Sequence, residues 1–233
     1  MDQNKKLNYL LAICIGILPI NILMIWYRLS HPDSFTISEM LVYPLVFGGG
    51  NSLLIIALNK YLLKGKTSDF SPDKGKWYSD IFLGIGLAII YFLLMVVERA
   101  TLPGILPQGK PPSQEVINLM ISLANNPVLL ALWLGPVVWI GVAIFEELVR
   151  TFFLRCLWGL SNQKAWEVLA IVLVSAFAGV VHLYQGAFGI VSVGIQGLVM
   201  GFFYYKIRRI WPLIISHALY DSIQIILFVV QVS

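Results

Sequence analysis

Residues 127–158 read PVLLALWLGPVVWIGVAIFEELVRTFFLRCLW, and this stretch decides the fold. A membrane-spanning helix needs about 20 mostly apolar residues, and this apolar run is longer than that. Gly135 and Pro136 interrupt it. Proline removes a backbone hydrogen-bond donor and clashes with the preceding helical turn. The stretch therefore predicts one membrane-spanning helix with a break or kink at this point.

Six further apolar runs outside this stretch are long enough to cross a membrane. They cover residues 7–27, 40–63, 81–97, 166–182, 188–205 and 211–230. The chain of 233 residues is 58% hydrophobic and only 12% charged, about half the charged fraction of a soluble domain. This composition excludes a disordered chain, a soluble nucleic-acid-binding domain and a secreted disulfide-rich scaffold. The sequence predicts an all-α, multi-pass bundle of about seven membrane-spanning helices.

Lysine and arginine residues are distributed unevenly between the two sides of the predicted bundle. Of the 16 in the chain, eleven lie on the side of the N-terminus and three, Arg28, Arg99 and Lys110, lie on the other. Segments rich in positive charge stay in the cytoplasm, so the N-terminus is predicted to be cytoplasmic. The first run lacks the short apolar core and small-residue cleavage site of a signal peptide, and we expect it to remain as a span.

The chain is predicted to form one membrane domain with short connections. Residues 1–125 supply the first spans and an outer loop that begins at residue 98, and residues 126–233 supply a core that carries the unusual polar residues. Between residues 113 and 124, apolar residues recur at helical spacing. This part of the loop predicts an amphipathic helix on the outer membrane surface.

Six ionisable residues in three of the predicted spans are candidates for a functional site. They are Glu146, Glu147 and Arg150 in the fourth run, His182 at the end of the fifth, and His217 and Asp221 in the seventh. An ionisable group near the centre of a bilayer costs about 2.5–3.5 kcal/mol on insertion scales. This cost favours a shared, hydrated site inside the bundle where these side chains meet.

The spacing of these residues indicates hydrolytic chemistry. Residues three or four apart share a helix face, so Arg150 can neutralise and orient either glutamate, and His217 lies beside Asp221. No serine or cysteine lies near a histidine in the arrangement of a catalytic triad, so water is the expected nucleophile. A carboxylate and a histidine can deprotonate water, and a second histidine can donate to a developing oxyanion.

Zinc binding is the alternative chemistry for two glutamates and two histidines. The HExxH motif is absent, and no two of these residues have a familiar zinc-ligand spacing. The two cysteines, Cys14 and Cys156, lie in apolar runs and form no metal-binding or disulfide pattern. We therefore expect no metal and no other cofactor, with zinc left as the alternative.

Three motifs in this order resemble those of the CPBP family, which comprises CAAX proteases and bacteriocin-processing proteins and is also called the Abi family. EELVR at 146–150, HLYQG at 182–186 and HALYD at 217–221 are similar to the family patterns EExxxR, FxxxH and HxxxN or HxxxD. The resemblance covers residues 137–230. It implies a glutamate-type intramembrane endopeptidase in a prokaryotic cell membrane, whose partners are lipid and a membrane-associated peptide, either prenylated or bacteriocin-like. No nucleic acid partner is expected. The sequence does not indicate whether the protein is a monomer or an oligomer.

The resemblance also implies a role for each matching residue. Glu146 corresponds to the glutamate that activates water, with His182 assisting, and Glu147 corresponds to its partner acid. His217 and Asp221 correspond to the pair that holds the carbonyl oxygen of the substrate. A catalytically inactive membrane scaffold, or a bacteriocin-immunity protein of the same fold, is the alternative function.

The chain departs from the family pattern at two positions. The family arginine lies four residues after the second glutamate, where this chain has Thr151 and the arginine comes one residue earlier. If the arginine set the alignment, Glu146 would match the second glutamate and Phe145 the first; the double glutamate is the preferred anchor. The aromatic residue of the second motif is also displaced by one position, to Phe177.

Overall fold

The computed structural model describes residues 3–31, 36–73, 75–107 and 114–232. Within these residues, seven helical segments are long and apolar enough to cross a membrane, and no strand is formed. They are Gln3–Ser30, Glu39–Leu62, Trp77–Gly104, Pro127–Trp158, Lys164–Val181, Leu183–Ile207 and Trp211–Gln231. The all-α fold with seven spans is confirmed. The cytoplasmic N-terminus remains a prediction, and Lys74, Lys110 and residue 113, on which parts of the topology predictions depend, lie outside the described residues.

The described parts of the chain contain eleven α-helices. They are α1 (Gln3–Gly16), α2 (Leu18–Ser30), α3 (Ile37–Tyr43), α4 (Gly49–Ala57), α5 (Trp77–Thr101), α6 (Gln114–Ala124), α7 (Pro127–Leu132), α8 (Phe145–Trp158), α9 (Lys164–Val181), α10 (Gly186–Ile207) and α11 (Trp211–Val232). Short π-helical segments continue two of the spans. Pro44–Gly48 and Leu58–Leu62 flank α4, and Trp133–Ile144 joins α7 to α8.

The fourth span is kinked at the predicted position. Gly135 has non-helical backbone angles, φ −87° and ψ −105°, directly before Pro136. The chain then passes through the π-helical segment and enters α8 at Phe145. Glu146 and Glu147 consequently lie in the first turn of a new helix. π-Helical segments within longer helices frequently occur at functional sites.

Small residues allow α9 and α10 to pack closely. A Cβ atom added at Gly201 would lie 2.6 Å from the buried Ile171, and one at Gly197 would lie 3.1 Å from Ser175. Glycines four residues apart let two membrane helices approach at backbone distance. This packing fixes the end of α9, where His182 lies, relative to the rest of the bundle.

The predicted amphipathic helix is α6, and its apolar face packs against protein. Leu119 and Leu123 are 5% and 1% exposed and form a small cluster with the buried Met40. The helix contacts α7 and α11. Its predicted location at the outer membrane surface remains a prediction.

Glu98 corrects one expectation from the sequence. The outer loop was expected to begin at this residue, but α5 continues to Thr101 and buries the Glu98 side chain, which is only 3% exposed. The hydroxyl group of Ser192 on α10 donates a hydrogen bond to its Oε2 at 2.5 Å. A donor on a neighbouring helix thus allows the helix to continue past the apolar run.

Candidate active site

Polar residues of two helices, α8 and α11, meet inside the bundle. Glu146 and Glu147 begin α8, and His217 and Asp221 lie one turn apart on α11. His217 contacts both glutamates and Asp221, with its Nδ1 2.9 Å from Glu147 Oε1. The structure therefore joins the first and third sequence motifs, although they are separated by about 70 residues.

Glu147 is the buried centre of this cluster, with none of its side chain exposed. Its Oε1 accepts hydrogen bonds from the guanidinium group of Arg150 and from the imidazole of His217. Arg150 is itself only 8% exposed. Among the described residues, Glu147 Oε2 and Arg150 Nε have no hydrogen-bond partner. A pair this deeply buried has its charges compensated by each other rather than by solvent.

The contact with Glu147 determines which nitrogen of His217 carries a proton. A carboxylate paired with arginine can only accept hydrogen bonds, so Nδ1 of His217 must be the donor. The other nitrogen, Nε2, lies 3.5 Å from Asp221 Oδ2 and 3.9 Å from Glu146 Oε2. Neither distance is that of a strong hydrogen bond. Nε2 therefore faces the two remaining carboxyl groups and is available to a substrate atom or to water.

The two adjacent glutamates differ in their access to solvent. Glu146 has 29% of its side chain exposed, whereas Glu147 has none. Asp221 is also partly accessible, at 25%. A group that takes a proton from water must be within hydrogen-bond reach of it. Of the two glutamates, Glu146 is therefore the one that solvent can reach, and Glu147 is the one that contacts His217 at hydrogen-bond distance.

His182 lies at the end of α9, at the margin of the cluster. Its Nδ1 is 2.9 Å from the carbonyl oxygen of Ala178. Because a carbonyl can only accept, Nδ1 carries the proton, and Nε2 of a neutral His182 has a free lone pair. Among the described residues, no hydrogen bond or ion pair joins His182 to the other site residues. The sequence predicted that His182 belongs to the site. The structure places it at the margin of the cluster, without direct contact with the other site residues.

Tyr184 is a residue near the site that the sequence did not single out. Its ring lies 5.8 Å from that of His182, centroid to centroid, and the guanidinium group of Arg28 lies 5.7 Å from its ring centroid. The charges of Glu146 and Asp221 act on its hydroxyl group. Its position in the HLYQG motif, two residues after the histidine, was the feature of the sequence that could have indicated this proximity.

The two departures from the family pattern have structural counterparts. Thr151 is fully buried, and its hydroxyl group donates to the backbone carbonyl oxygen of Glu147 at 2.6 Å. The arginine one residue earlier still reaches Glu147. Phe177 packs edge-on against Phe153 of α8, with ring centroids 5.4 Å apart. Arg150 thus contacts the second glutamate, and Phe177 contacts the helix that carries both glutamates.

The cluster does not have the arrangement of a metal centre. Among the described residues, no group of three or more histidine, cysteine, aspartate or glutamate side chains is placed to hold a metal ion. Glu147 Oε1 is already engaged by Arg150 and His217. The expectation that the protein needs no cofactor remains a prediction.

Comparison with known proteins supports the resemblance that the motifs indicated. The family model for type II CAAX prenyl endopeptidase Rce1-like proteins matches residues 128–223, which is less than half of the chain. This range contains all six site residues predicted from the sequence. The resemblance to CAAX proteases is therefore confirmed over this range. No curated protein and no solved structure matches the chain.

Proposed function

We propose that this protein is an intramembrane endopeptidase that uses water to hydrolyse a peptide bond of a membrane-associated peptide. The contact that carries the proposal is the one between His217 Nδ1 and Glu147 Oε1, at 2.9 Å. It joins the acids of α8 to the imidazole of α11 within a membrane-spanning bundle. The match of residues 128–223 to CAAX prenyl endopeptidases supports the reaction class.

In the first step, Glu146 accepts a proton from a water molecule. The water oxygen forms a bond to the carbonyl carbon of the substrate, and the carbonyl π electrons move onto oxygen to give an oxyanion. Glu146 suits this role because its carboxyl group is the more accessible of the two glutamates. His182 assists by accepting a hydrogen bond from the same water through its free Nε2.

The oxyanion is stabilised by His217. In its imidazolium form, Nε2–H donates to the negative oxygen, while Nδ1–H remains bonded to Glu147. The carboxyl group of Asp221, 3.5 Å from the same Nε2, lies next to the position of this oxygen. Arg150 does not contact the oxyanion. It holds the Glu147 carboxylate, which in turn orients His217. A donor fixed before the reaction stabilises developing charge without reorganisation.

In the second step, the tetrahedral intermediate collapses. The carbonyl double bond re-forms, the carbon–nitrogen bond breaks, and the proton held by Glu146 passes to the departing nitrogen. The products are a peptide with a new carboxyl terminus and a fragment with a new amino terminus. One water molecule is consumed and no metal takes part in either step.

The substrate in this proposal is a peptide held at the membrane, either prenylated or bacteriocin-like. The family match favours a prenylated peptide, because the matching model describes CAAX prenyl endopeptidases. The partly exposed carboxyl groups of Glu146 and Asp221 lie within apolar spans. Burial of an attached lipid chain contributes about 0.8 kcal/mol per CH₂ group, which offsets the cost of bringing a peptide bond to the same depth.

The test is cleavage of farnesylated CAAX peptides by the purified protein in lipid nanodiscs. Glu146→Gln is expected to lower the rate by about 10²–10⁴-fold, because it removes the general base. Glu167→Gln is the matched control, because Glu167 lies in the first turn of α9, outside the site. The indole N–H of Trp158 donates to its backbone carbonyl oxygen, and the substitution keeps that acceptor. It should leave the rate unchanged.

Two results would contradict the proposal. The first is wild-type cleavage by the Glu146→Gln protein. The second is a cellular phenotype, such as bacteriocin resistance, that persists in both Glu146→Gln and His182→Ala cells with normal protein levels. The second result would favour the non-catalytic scaffold or immunity protein.

A further inference from the structure

A second group of polar side chains lies inside the bundle, apart from the residues assigned to hydrolysis. Glu98 on α5 is 3% exposed, and its Oε2 accepts the hydrogen bond from Ser192. Its Oε1 is also buried and has no hydrogen-bond partner among the described residues. A buried polar atom without a partner costs about 1–3 kcal/mol, and ionisable residues within membrane spans are rare unless they serve a function. The amide group of Gln196 also lies near this carboxyl group, but it makes no direct hydrogen bond to Oε1, which leaves Oε1 able to accept one from water.

The polar contacts continue from Ser192 across three helices. Gln196 lies one turn further along α10, and its amide nitrogen is 3.4 Å from Ser192 Oγ and 3.5 Å from the hydroxyl group of Tyr220 on α11. Tyr91 on α5 donates its hydroxyl group to the backbone carbonyl oxygen of Gln196 at 3.4 Å. These distances are long for direct hydrogen bonds, and at such distances water commonly bridges two polar groups.

This row of side chains begins near one end of a span and ends beside a residue of the candidate active site. Glu98 lies three residues before the end of α5. At the other end of the row, Tyr220 directly precedes Asp221 in α11, and its ring is 5.7 Å from that of Tyr91.

We propose that Glu98, Ser192, Gln196 and Tyr220 line a narrow hydrated path that brings water to the active site from the face where α5 ends. A hydrolase surrounded by lipid consumes one water molecule for each bond it cleaves, and buried polar side chains lower the cost of holding water inside an apolar bundle. Glu98 Oε1 binds water at the entrance, and the hydroxyl and amide groups of the other three pass it inwards. The inference deepens the proposed function, but the path itself can be tested without any cleavage.

The test uses the chemical reactivity of a cysteine in place of Ser192. Thiols react with thiosulfonates as thiolates, so a water-soluble, membrane-impermeant thiosulfonate labels a cysteine that contacts water much faster than one in a dry interior. The background protein carries Cys14→Ala and Cys156→Ala, which remove both native cysteines. Ser192→Cys is nearly isosteric and should preserve the fold.

The chain supplies two matched controls. Ser175 on α9 and Ser216 on α11 are 2% and 0% exposed, so they are as buried as Ser192, at 7%. Their hydroxyl groups bond to backbone carbonyls of their own helices and lie outside the row. We expect Ser192→Cys to be labelled at least about tenfold faster than either control. Reagent added at the face where α5 ends should be effective, and reagent at the opposite face should not.

A second variant tests the role of Glu98. Glu98→Leu in the Ser192→Cys protein should slow labelling about tenfold, because an apolar side chain then closes the entrance. Val97→Leu is the control, since Val97 is 56% exposed on the outside of the same helix, and should not change the rate. Labelling of all variants after denaturation in detergent verifies that each cysteine is present and free.

The outcomes separate this inference from the proposed function. If Ser192→Cys is labelled no faster than Ser175→Cys and Ser216→Cys, the row is a dry structural contact and the path is wrong. If labelling proceeds as expected but Glu146→Gln leaves cleavage unchanged, the path stands and the proposed peptidase mechanism is wrong. If labelling is fast but Glu98→Leu has no effect, water enters elsewhere and the proposed entrance is wrong.

Discussion

The pair formed by Arg150 and Glu147 allows the structural and chemical roles of the site to be separated. The change is Arg150→Met, which keeps the length of the side chain and removes its charge. Glu147 then lies in the bundle with none of its surface exposed and without its arginine partner. Removing one partner of a buried pair costs about 3–5 kcal/mol. His217 keeps its own contact with the Glu147 carboxylate. We therefore expect Arg150→Met to lower the free energy of unfolding by the smaller of these values, about 3 kcal/mol.

A double substitution provides the critical comparison. Replacement of both members of a buried pair by apolar residues is often neutral or stabilising, because no unpaired charge remains. The Arg150→Met/Glu147→Leu protein should therefore regain most of the stability that Arg150→Met loses. It should not regain peptidase activity, because His217 has then lost the carboxylate that fixes its Nδ1 proton.

The same helix carries a matched control. Arg155 and Asp69 form an ion pair at 3.3 Å, with side chains 22% and 36% exposed. Arg155 also donates a hydrogen bond to Asn59 Oδ1 at 3.2 Å. A partly exposed ion pair contributes about 0–1 kcal/mol and a hydrogen bond about 0.5–1.5 kcal/mol, so Arg155→Met should cost about 2 kcal/mol or less. The comparison keeps the residue type and the helix constant and leaves no fully buried carboxylate without its partner.

The assay is equilibrium unfolding in mixed detergent micelles, combined with cleavage measurements on the same samples. A loss of 3 kcal/mol corresponds to a shift of about 150-fold in the folding equilibrium. The reasoning is refuted if Arg150→Met and Arg155→Met have equal effects. It is also refuted if the double variant is as unstable as Arg150→Met, because an unpaired buried charge would then not be the cause.

Two further predictions concern the cofactor and the packing of α9 on α10. Incubation with a zinc chelator should leave the cleavage rate unchanged, because the described residues offer no metal-binding group; activity lost to the chelator and restored by zinc would contradict the water-and-carboxylate mechanism. Gly201→Val should destabilise the protein by about 1–3 kcal/mol in thermal unfolding, because its Cβ would lie 2.6 Å from the buried Ile171. Gly86→Ala on α5 is the comparison: a Cβ there meets nothing within 4 Å, and the change should stabilise by about 0.5–1 kcal/mol. Equal effects of the two substitutions would show that close helix approach is not the reason.

The spans could be predicted because hydropathy and length are properties of the chain itself. Residues 127–158 gave both the boundaries of the fourth span and the position of its kink, since the effect of Pro136 on the preceding turn is local. Glu98 could not be assigned in the same way. A charged residue at the end of an apolar run normally lies at the interface, and only the hydroxyl group of Ser192, 94 residues later, explains its burial.

The composition of the site was also accessible from the sequence, but the contacts within it were not. The cost of ionisable groups in lipid predicted one shared site for six residues, Glu146, Glu147, Arg150, His182, His217 and Asp221, and the structure brings all of them except His182 into contact. This cost did not indicate that Arg150 pairs with Glu147 rather than Glu146, because the two lie three and four residues away and either can be reached. That choice depends on the rotation of α8 relative to α11, which is set by packing between helices distant in sequence.

Arg150 lies one residue before the position of the arginine in the family pattern. Helix geometry shows whether it can still pair with the second glutamate. The family pattern puts the arginine four residues after the second glutamate, and this chain puts it three residues after. Both separations place the two side chains on the same helix face, so the shift keeps the pair that holds Glu147. Arg150 also lies four residues after Glu146, so it shares a helix face with both glutamates. It still holds Glu147, which contacts His217. The position of the arginine is thus compatible with an active enzyme.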